Sequence, residues 1–303
     1  MELSWTELED ASGSAEDIPQ IIQMLTAEDA EDRVRARETL WSRLVVHGTR
    51  YPATPHAIPL LIGTLRHLGP DERTELLEMI AFFAIGDDQD YLLGAFNPER
   101  LRSETTNKRH MPDADHRQEF SLQDEGGNAE PKSKRIELQC YDAVGDQIHS
   151  VIQLLPTSSP NGRKWILAIL GYYPDKSSMS APAILDLVMR EDDEVVLATA
   201  LISLGLMDTA RGDSGATLQR FLNNPVDIIR WGAAIGLGWK GAPEPELAEI
   251  LVGCVESLNE IPTGVPYYMG RIDILAEEIL DRWQASSATL IWKPKAKPDV
   301  WLL

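Results

Sequence analysis

The feature that most restricts how this chain can fold is a repeat with a nearly constant period. Two sets of positions share this period: Ile152, Leu185 and Leu218 follow one another at a spacing of 33, and the pairs Leu170-Gly171, Leu204-Gly205 and Leu237-Gly238 recur at spacings of 34 and 33. Such a period is typical of units of two helices. One unit cannot bury its apolar face alone, so successive units stack into a solenoid.

The N-terminal third predicts the same kind of unit at a longer spacing. Ile18, Ile21, Ile22 and Leu25 have the spacing of one helix face, and Ile58, Leu61, Ile62 and Leu65 repeat them at a spacing of 40. The sequence therefore predicts an all-α protein, a right-handed α-solenoid of about six helical hairpins. We place N-terminal repeats in 1–96 and C-terminal repeats in 136–286.

Two segments lack the repeat pattern. The range 97–135 contains eight basic and eight acidic side chains and few large apolar ones. A segment of this composition cannot bury enough apolar surface to offset its chain entropy, so we expect one long mobile insertion. The range 287–303 loses the helical period and predicts a C-terminal hairpin or strap that caps the last unit.

The charge limits the classes of partner. The formal net charge is -20, with ten carboxylates and no Lys or Arg in the range 1–32 and a second acidic cluster at 191–194. Because an acidic surface repels phosphate backbones, we expect a protein partner and no nucleic acid. The acidic side chains either attract a basic partner or only solvate the surface and keep the protein soluble. Two cysteines, no leader-like N-terminus and no long apolar segment predict a soluble cytoplasmic protein without a membrane span. The repeat period also places Cys254 at a buried position.

At the fifth unit the residues resemble a known family. The sequence Asp227-Ile228-Ile229-Arg230, followed by Ala233 and Leu237-Gly238, is similar to the second helix of a HEAT repeat. The block 47–54, His-Gly-Thr-Arg-Tyr-Pro-Ala-Thr, resembles a group of microbial HEAT-repeat proteins that is largely uncharacterised. The resemblance implies stacked helical hairpins whose second helices line a concave surface.

Two groups of residues are candidate binding sites. The first is the loop block His47, Arg50, Tyr51 and His56, and the second is the set of large side chains on second helices: Trp165, Tyr172, Arg230, Trp231 and Trp239. Loops between repeats and exposed Trp, Tyr and Arg are common in interfaces. The structural alternatives are that Thr54-Pro55 only starts a helix and that the aromatic residues belong to the core.

The sequence predicts no metal site and no cofactor. His110, Asp113, Asp115 and His116 do not have the spacing of a standard metal site. The leading hypothesis is a non-enzymatic protein–protein interaction module that uses an acidic α-solenoid surface. The alternative is a HEAT-like enzyme, a lyase or isomerase that acts on a small molecule in a pocket of the concave face. A closed polar pocket would favour the enzyme, and an open groove would favour the binding module.

Overall fold

The computed structural model describes residues 4–86, 98–107, 131–207, 213–258 and 261–286. It is mostly helical, with 75% of residues in helices and little strand, which confirms the all-α prediction. The chain forms two compact units, an N-terminal unit, 1–147, and a C-terminal unit, 148–303. No helix in these described ranges is long and apolar enough to cross a membrane.

The N-terminal unit contains six α-helices and two short hairpins within its described residues. The helices are α1 Ile18–Met24, α2 Ala30–Leu44, α3 Thr54–Thr64, α4 Pro70–Ile85, α5 Pro98–Asn107 and α6 Pro131–Gly145. The strands are β1 Glu9–Asp10 with β2 Gly13–Ser14, and β3 Val45–Val46 with β4 Thr49–Arg50, both pairs antiparallel. Helices α2 and α4 meet where Trp41 packs edge-on against Phe82 and Phe83.

Arg43 of α2 forms ion pairs and a hydrogen bond with the N-terminal segment. Arg43 contacts the buried carboxylate of Asp10 at 2.6 Å, and its Nη1 lies 2.7 Å from Asp17. Arg43 also donates to the carbonyl oxygen of Ser14. Part of the acidic N-terminal segment is therefore neutralised inside the fold.

The segment 97–135 differs in part from the expected insertion, because both of its ends are helical. The range 98–107 forms α5, where Leu101 is buried, and α6 begins at Pro131. Helix α5 packs on α6, which in turn packs on α3 and α4. The central part, 108–130, and the predicted C-terminal strap, 287–303, lie outside the described residues.

The C-terminal unit consists of consecutive helix pairs. Its helices are α7 Ile148–Ile152, α8 Pro160–Gly171, α9 Ser177–Val188, α10 Glu194–Leu206, α11 Asp213–Phe221, α12 Asp227–Lys240, α13 Pro245–Leu258 and α14 Ile272–Ser286. Each odd-numbered helix contacts the even-numbered helix that follows it, and α8, α10, α12 and α14 contact one another in that order. The second helices thus form a continuous layer within this unit.

Glycines set the spacing within this layer. A Cβ atom on Gly205 of α10 would lie 2.1 Å from the Cα atom of Gly236 on α12, and one on Gly232 would lie 2.9 Å from the carbonyl oxygen of Ala198. No side chain fits between backbones at these distances. Gly171 and Gly238 also have close neighbours, as the Leu-Gly repeats predict.

Candidate functional site

The loop block around His47 is divided between the surface and the core. His47 and Gly48 join β3 to β4 with φ angles of 48° and 77°, the left-handed geometry of a tight hairpin turn. The side chains of His47 and His56 are exposed and that of Tyr51 is half-buried. Arg50 is only 3% exposed, and its guanidinium donates to the carbonyl oxygen of Phe82. Partial burial lowers the pKa of His56 below its usual value.

Thr54 does not cap α3 in the way that the sequence suggests. The cap position is occupied by Ala53, and Thr54 is the first residue of the helix. Its hydroxyl accepts from the amide of Tyr51 and donates to the carbonyl oxygen of Leu44 at 2.6 Å. The threonine therefore ties the loop to the end of α2.

Arg230 belongs to a set of arginines that occupy the fourth position of a second helix. The set is Arg33 on α2, Arg73 on α4, Arg163 on α8 and Arg230 on α12. Each guanidinium donates to a carbonyl oxygen of the turn before its helix; for Arg230 the acceptor is Asn224, at 2.9 Å. The position of Arg230 is thus explained by hairpin structure.

The carboxylate partner of Arg230 differs from those of two other members of the set. Arg33 pairs with Glu72, and Arg163 pairs with Glu191, so in both cases the acid comes from the following hairpin. Arg230 instead pairs with Asp227 of its own helix. Within the part of the chain that the structure describes, no acidic side chain from the following hairpin pairs with Arg230.

The predicted aromatic residues have three different surroundings. Trp165 on α8 is half-buried. Trp239 is covered by the Arg282 guanidinium, 4.0 Å above its ring. Tyr172 packs edge-on against Tyr267, with 5.6 Å between ring centroids. They do not form one aromatic surface.

Tyr267 also anchors a loop, 261–271, that returns to α8 and α10. Its side chain is fully buried, and its hydroxyl lies 2.8 Å from Ser203 Oγ. Ser203 Oγ also lies within hydrogen-bonding distance of the carbonyl oxygens of Leu167 and Thr199. The chain itself therefore fills the space beside Tyr172.

The acidic cluster at 191–194 is partly structural. Glu191 accepts from the Arg163 guanidinium in two hydrogen bonds, and Asp193 caps α10 by accepting from the amides of Val195 and Val196. Asp192 and Glu194 remain exposed. Only these two of the four carboxylates project into solvent as a free acidic surface.

An open depression of about 250 Å³ lies between α12 and α13. Helix α12 contributes two of the predicted residues, Arg230 and Trp231, together with Asp227. Helix α13 contributes four residues that the sequence analysis did not select: Glu249, Ile250, Gly253 and Ser257. Trp231 is 7% exposed, so the indole is largely covered by the chain.

The helix α13 carries an acidic outer surface next to this depression. Glu246, Glu249 and Glu256 are exposed on the helix, and Glu244 is exposed just before it. The range 244–258 contains no Lys, Arg or His. We name these four glutamates the α13 acidic face. A signal for this site was present in the sequence, since Gly253 interrupts an otherwise good helical pattern.

The described ranges contain no group of three or more His, Cys, Asp or Glu residues that could hold a metal ion. His110, Asp113, Asp115 and His116 lie outside those ranges. Both cysteines are buried, as predicted for Cys254, and burial raises the pKa of the Cys140 thiol to about 12. Burial also raises the pKa of Cys254.

In comparisons with known proteins, the chain matches no protein-family model and no curated protein sequence.

Proposed function

We propose that this protein is a non-enzymatic interaction module that binds a basic protein partner through the α13 acidic face. The observation that carries the proposal is four exposed glutamates in a range without a basic residue, beside a depression whose lining includes the side chains of Trp231 and Ile250. Complementary charge of this kind steers encounter and selects partners. The apolar lining supplies the short-range contact that charge alone lacks.

The size of the depression supports a binding module over the alternative enzyme. Small-molecule sites usually enclose roughly 300 to 1,000 Å³ and bury most of the ligand. The depression between α12 and α13 is open and measures about 250 Å³. Its dimensions suit a side chain of a partner protein better than an enclosed substrate, so the lyase or isomerase hypothesis receives no support from this site.

We further propose that the helix pairs are HEAT-like and stack as a right-handed solenoid in a cytoplasmic protein. Six pairs support this architecture: α1/α2, α3/α4, α7/α8, α9/α10, α11/α12 and α13/α14. The arginine at the fourth position of four second helices gives four of these six pairs a common turn structure. A crystal structure in which successive pairs rotate in a left-handed sense, or close into a bundle, would refute this architecture.

The binding proposal is tested by affinity capture from native lysate at about 0.1 M and about 0.5 M salt. The test variant carries Glu246→Gln, Glu249→Gln and Glu256→Gln. We expect wild-type protein to retain a basic protein at low salt and to release it at high salt, because the screening length for exposed charges, about 10 Å at 0.1 M, shortens as the salt concentration rises. The variant should retain much less of the same protein at low salt.

A matched control removes three exposed carboxylates elsewhere in the C-terminal unit: Asp192→Asn, Glu194→Gln and Asp281→Asn. Its net charge equals that of the test variant, so equal capture by the control and the wild type would show that the position of the charge matters. If both variants lose the partner equally, net charge and not the α13 acidic face is responsible. If neither variant loses it, the proposed function is wrong.

A further inference from the structure

We propose that the depression between α12 and α13 is a subsite for one lysine side chain of the partner. This inference rests on the proposed function, since it assumes a basic protein at the α13 acidic face. It assigns the contact to Glu249, Gly253 and Trp231, and it is tested separately from the capture experiment.

The packing of the described residues does not explain the glycine at position 253. It lies inside α13, away from both ends of the helix, and a Cβ atom there would have no neighbour within 4 Å. A glycine inside a helix costs about 1 kcal/mol relative to alanine. Gly205 and Gly232 are required by close helix contacts, but no contact within the described residues requires Gly253. Its missing side chain leaves the backbone open to an external group.

The charges around the depression favour a single cation. Asp227 and Arg230 form an ion pair and neutralise each other. Glu249 is exposed and has no ion-pair partner among the residues that the structure describes. The lining residues therefore carry one net negative charge, which one ammonium group would balance. A carboxylate from the partner would instead meet Glu249 and be repelled.

The apolar part of the lining suits the stem of a lysine. Trp231 and Ile250 lie on opposite helices, and Gly253 leaves the space between them open. Lysine packs its methylene chain against apolar surface while its ammonium stays near water. The same stem without a charge would gain only the apolar contact. The ammonium near Glu249 thus gives the subsite its selectivity.

The test is an NMR titration of the full-length protein with an acetylated and amidated peptide that has one lysine among glycines and serines. The reporters are the Gly253 amide and the Trp231 indole N–H. We expect both resonances to move with the lysine peptide. A peptide with norleucine, which keeps the stem and lacks the ammonium, should bind about tenfold more weakly, a difference of about 1.4 kcal/mol.

Variants of the two central residues sharpen the test. Gly253→Leu should weaken the lysine peptide at least tenfold while it raises the melting temperature, because leucine favours a helix and its Cβ atom would have no neighbour within 4 Å. Glu249→Gln should weaken the peptide, and Asp192→Asn, an exposed carboxylate outside both the lining and the α13 acidic face, should leave its affinity unchanged. If Gly253→Leu raises the melting temperature and weakens peptide binding, the loss of affinity comes from filling the depression and not from disturbing the fold.

Several results would overturn the subsite. These are full binding by Gly253→Leu, equal binding of the norleucine peptide, tighter binding of an arginine or glutamate peptide, or no movement of either reporter resonance. The capture experiment tests the proposed function separately from the subsite. If the α13 variants lose a basic partner but the reporters stay still, the subsite is wrong and the proposed function stands. If the variants retain every salt-sensitive protein, the proposed function is wrong.

Discussion

Replacing Gly205 with alanine tests whether glycine-mediated backbone contact holds the C-terminal unit together. The added Cβ atom would lie 2.1 Å from the Cα atom and 2.2 Å from the carbonyl oxygen of Gly236. Carbon atoms in favourable contact are about 3.5 to 4.0 Å apart. Because both obstructing atoms belong to backbone, no side-chain rotation relieves the overlap, and α10 and α12 must move apart by more than about 1 Å.

Two opposing effects determine how much Gly205→Ala changes the free energy of unfolding. Alanine in place of glycine inside a helix contributes about 1 kcal/mol of helix propensity. Overpacking typically costs about 1 to 3 kcal/mol, and the backbone overlap at Gly236 places this substitution at the upper end. We therefore expect a net loss of about 2 kcal/mol, the difference between these two effects. For a unit of this size, a loss of about 2 kcal/mol lowers the melting temperature by roughly 4 to 8 °C.

Circular dichroism melting of three proteins checks this result. The matched control is Gly253→Ala, also a glycine inside a helix, whose Cβ atom would have no neighbour within 4 Å. The control should melt slightly above the wild type, and Gly205→Ala should melt below it. A melting temperature of Gly205→Ala equal to or above that of the wild type would refute the claim that α10 and α12 require backbone contact at this position.

Three further predictions follow from the same structure. Asp193→Ala removes the cap of α10 and should cost about 1 kcal/mol in thermal melting, whereas Asp192→Ala, which removes no cap, should change stability by less than about 0.5 kcal/mol. The hydrogen bond from Arg43 lowers the pKa of Asp17 below its usual value, so this interaction stabilises the fold above about pH 4 and is lost as the pH falls through the lowered pKa. Asp17→Asn should therefore reduce the melting temperature at pH 7, and the reduction should become smaller as the pH is lowered below about 4. Because burial raises the pKa of Cys140 to about 12, neither thiol should react with a thiol reagent at pH 8 until denaturant is added, and rapid labelling of the native protein would contradict the buried positions.

Much of the local structure could be predicted from the sequence. The repeat period placed Cys254 at a buried position, and it is fully buried. The Leu-Gly repeats predicted close contacts at Gly171, Gly205 and Gly238, and all three have them. Such predictions succeed because the helix period decides which face of each helix is buried, and that period is set by backbone geometry.

The partners of individual residues could not be predicted in the same way. The role of Arg230 as an interface anchor stays a prediction, and the sequence did not indicate that its guanidinium donates to Asn224 and pairs with Asp227. The polar segment at 98–107 was expected to lack structure, yet it forms a helix that packs on α6 and buries Leu101. These outcomes depend on which groups meet after the helices pack, and residues far apart in sequence decide that.

The amino-acid sequence by itself determined the all-α class, the repeated units, the spacing at which buried side chains recur and the excess of acidic side chains. Only the tertiary structure decided that Trp231 shares a depression with Glu249 and Gly253, while Trp239 is covered by Arg282. The physical reason is that hydrophobic periodicity specifies which surfaces are buried, but the width of the gap between two helices depends on how particular side chains interdigitate. Between α10 and α12 the glycines close that gap, and between α12 and α13 it stays open.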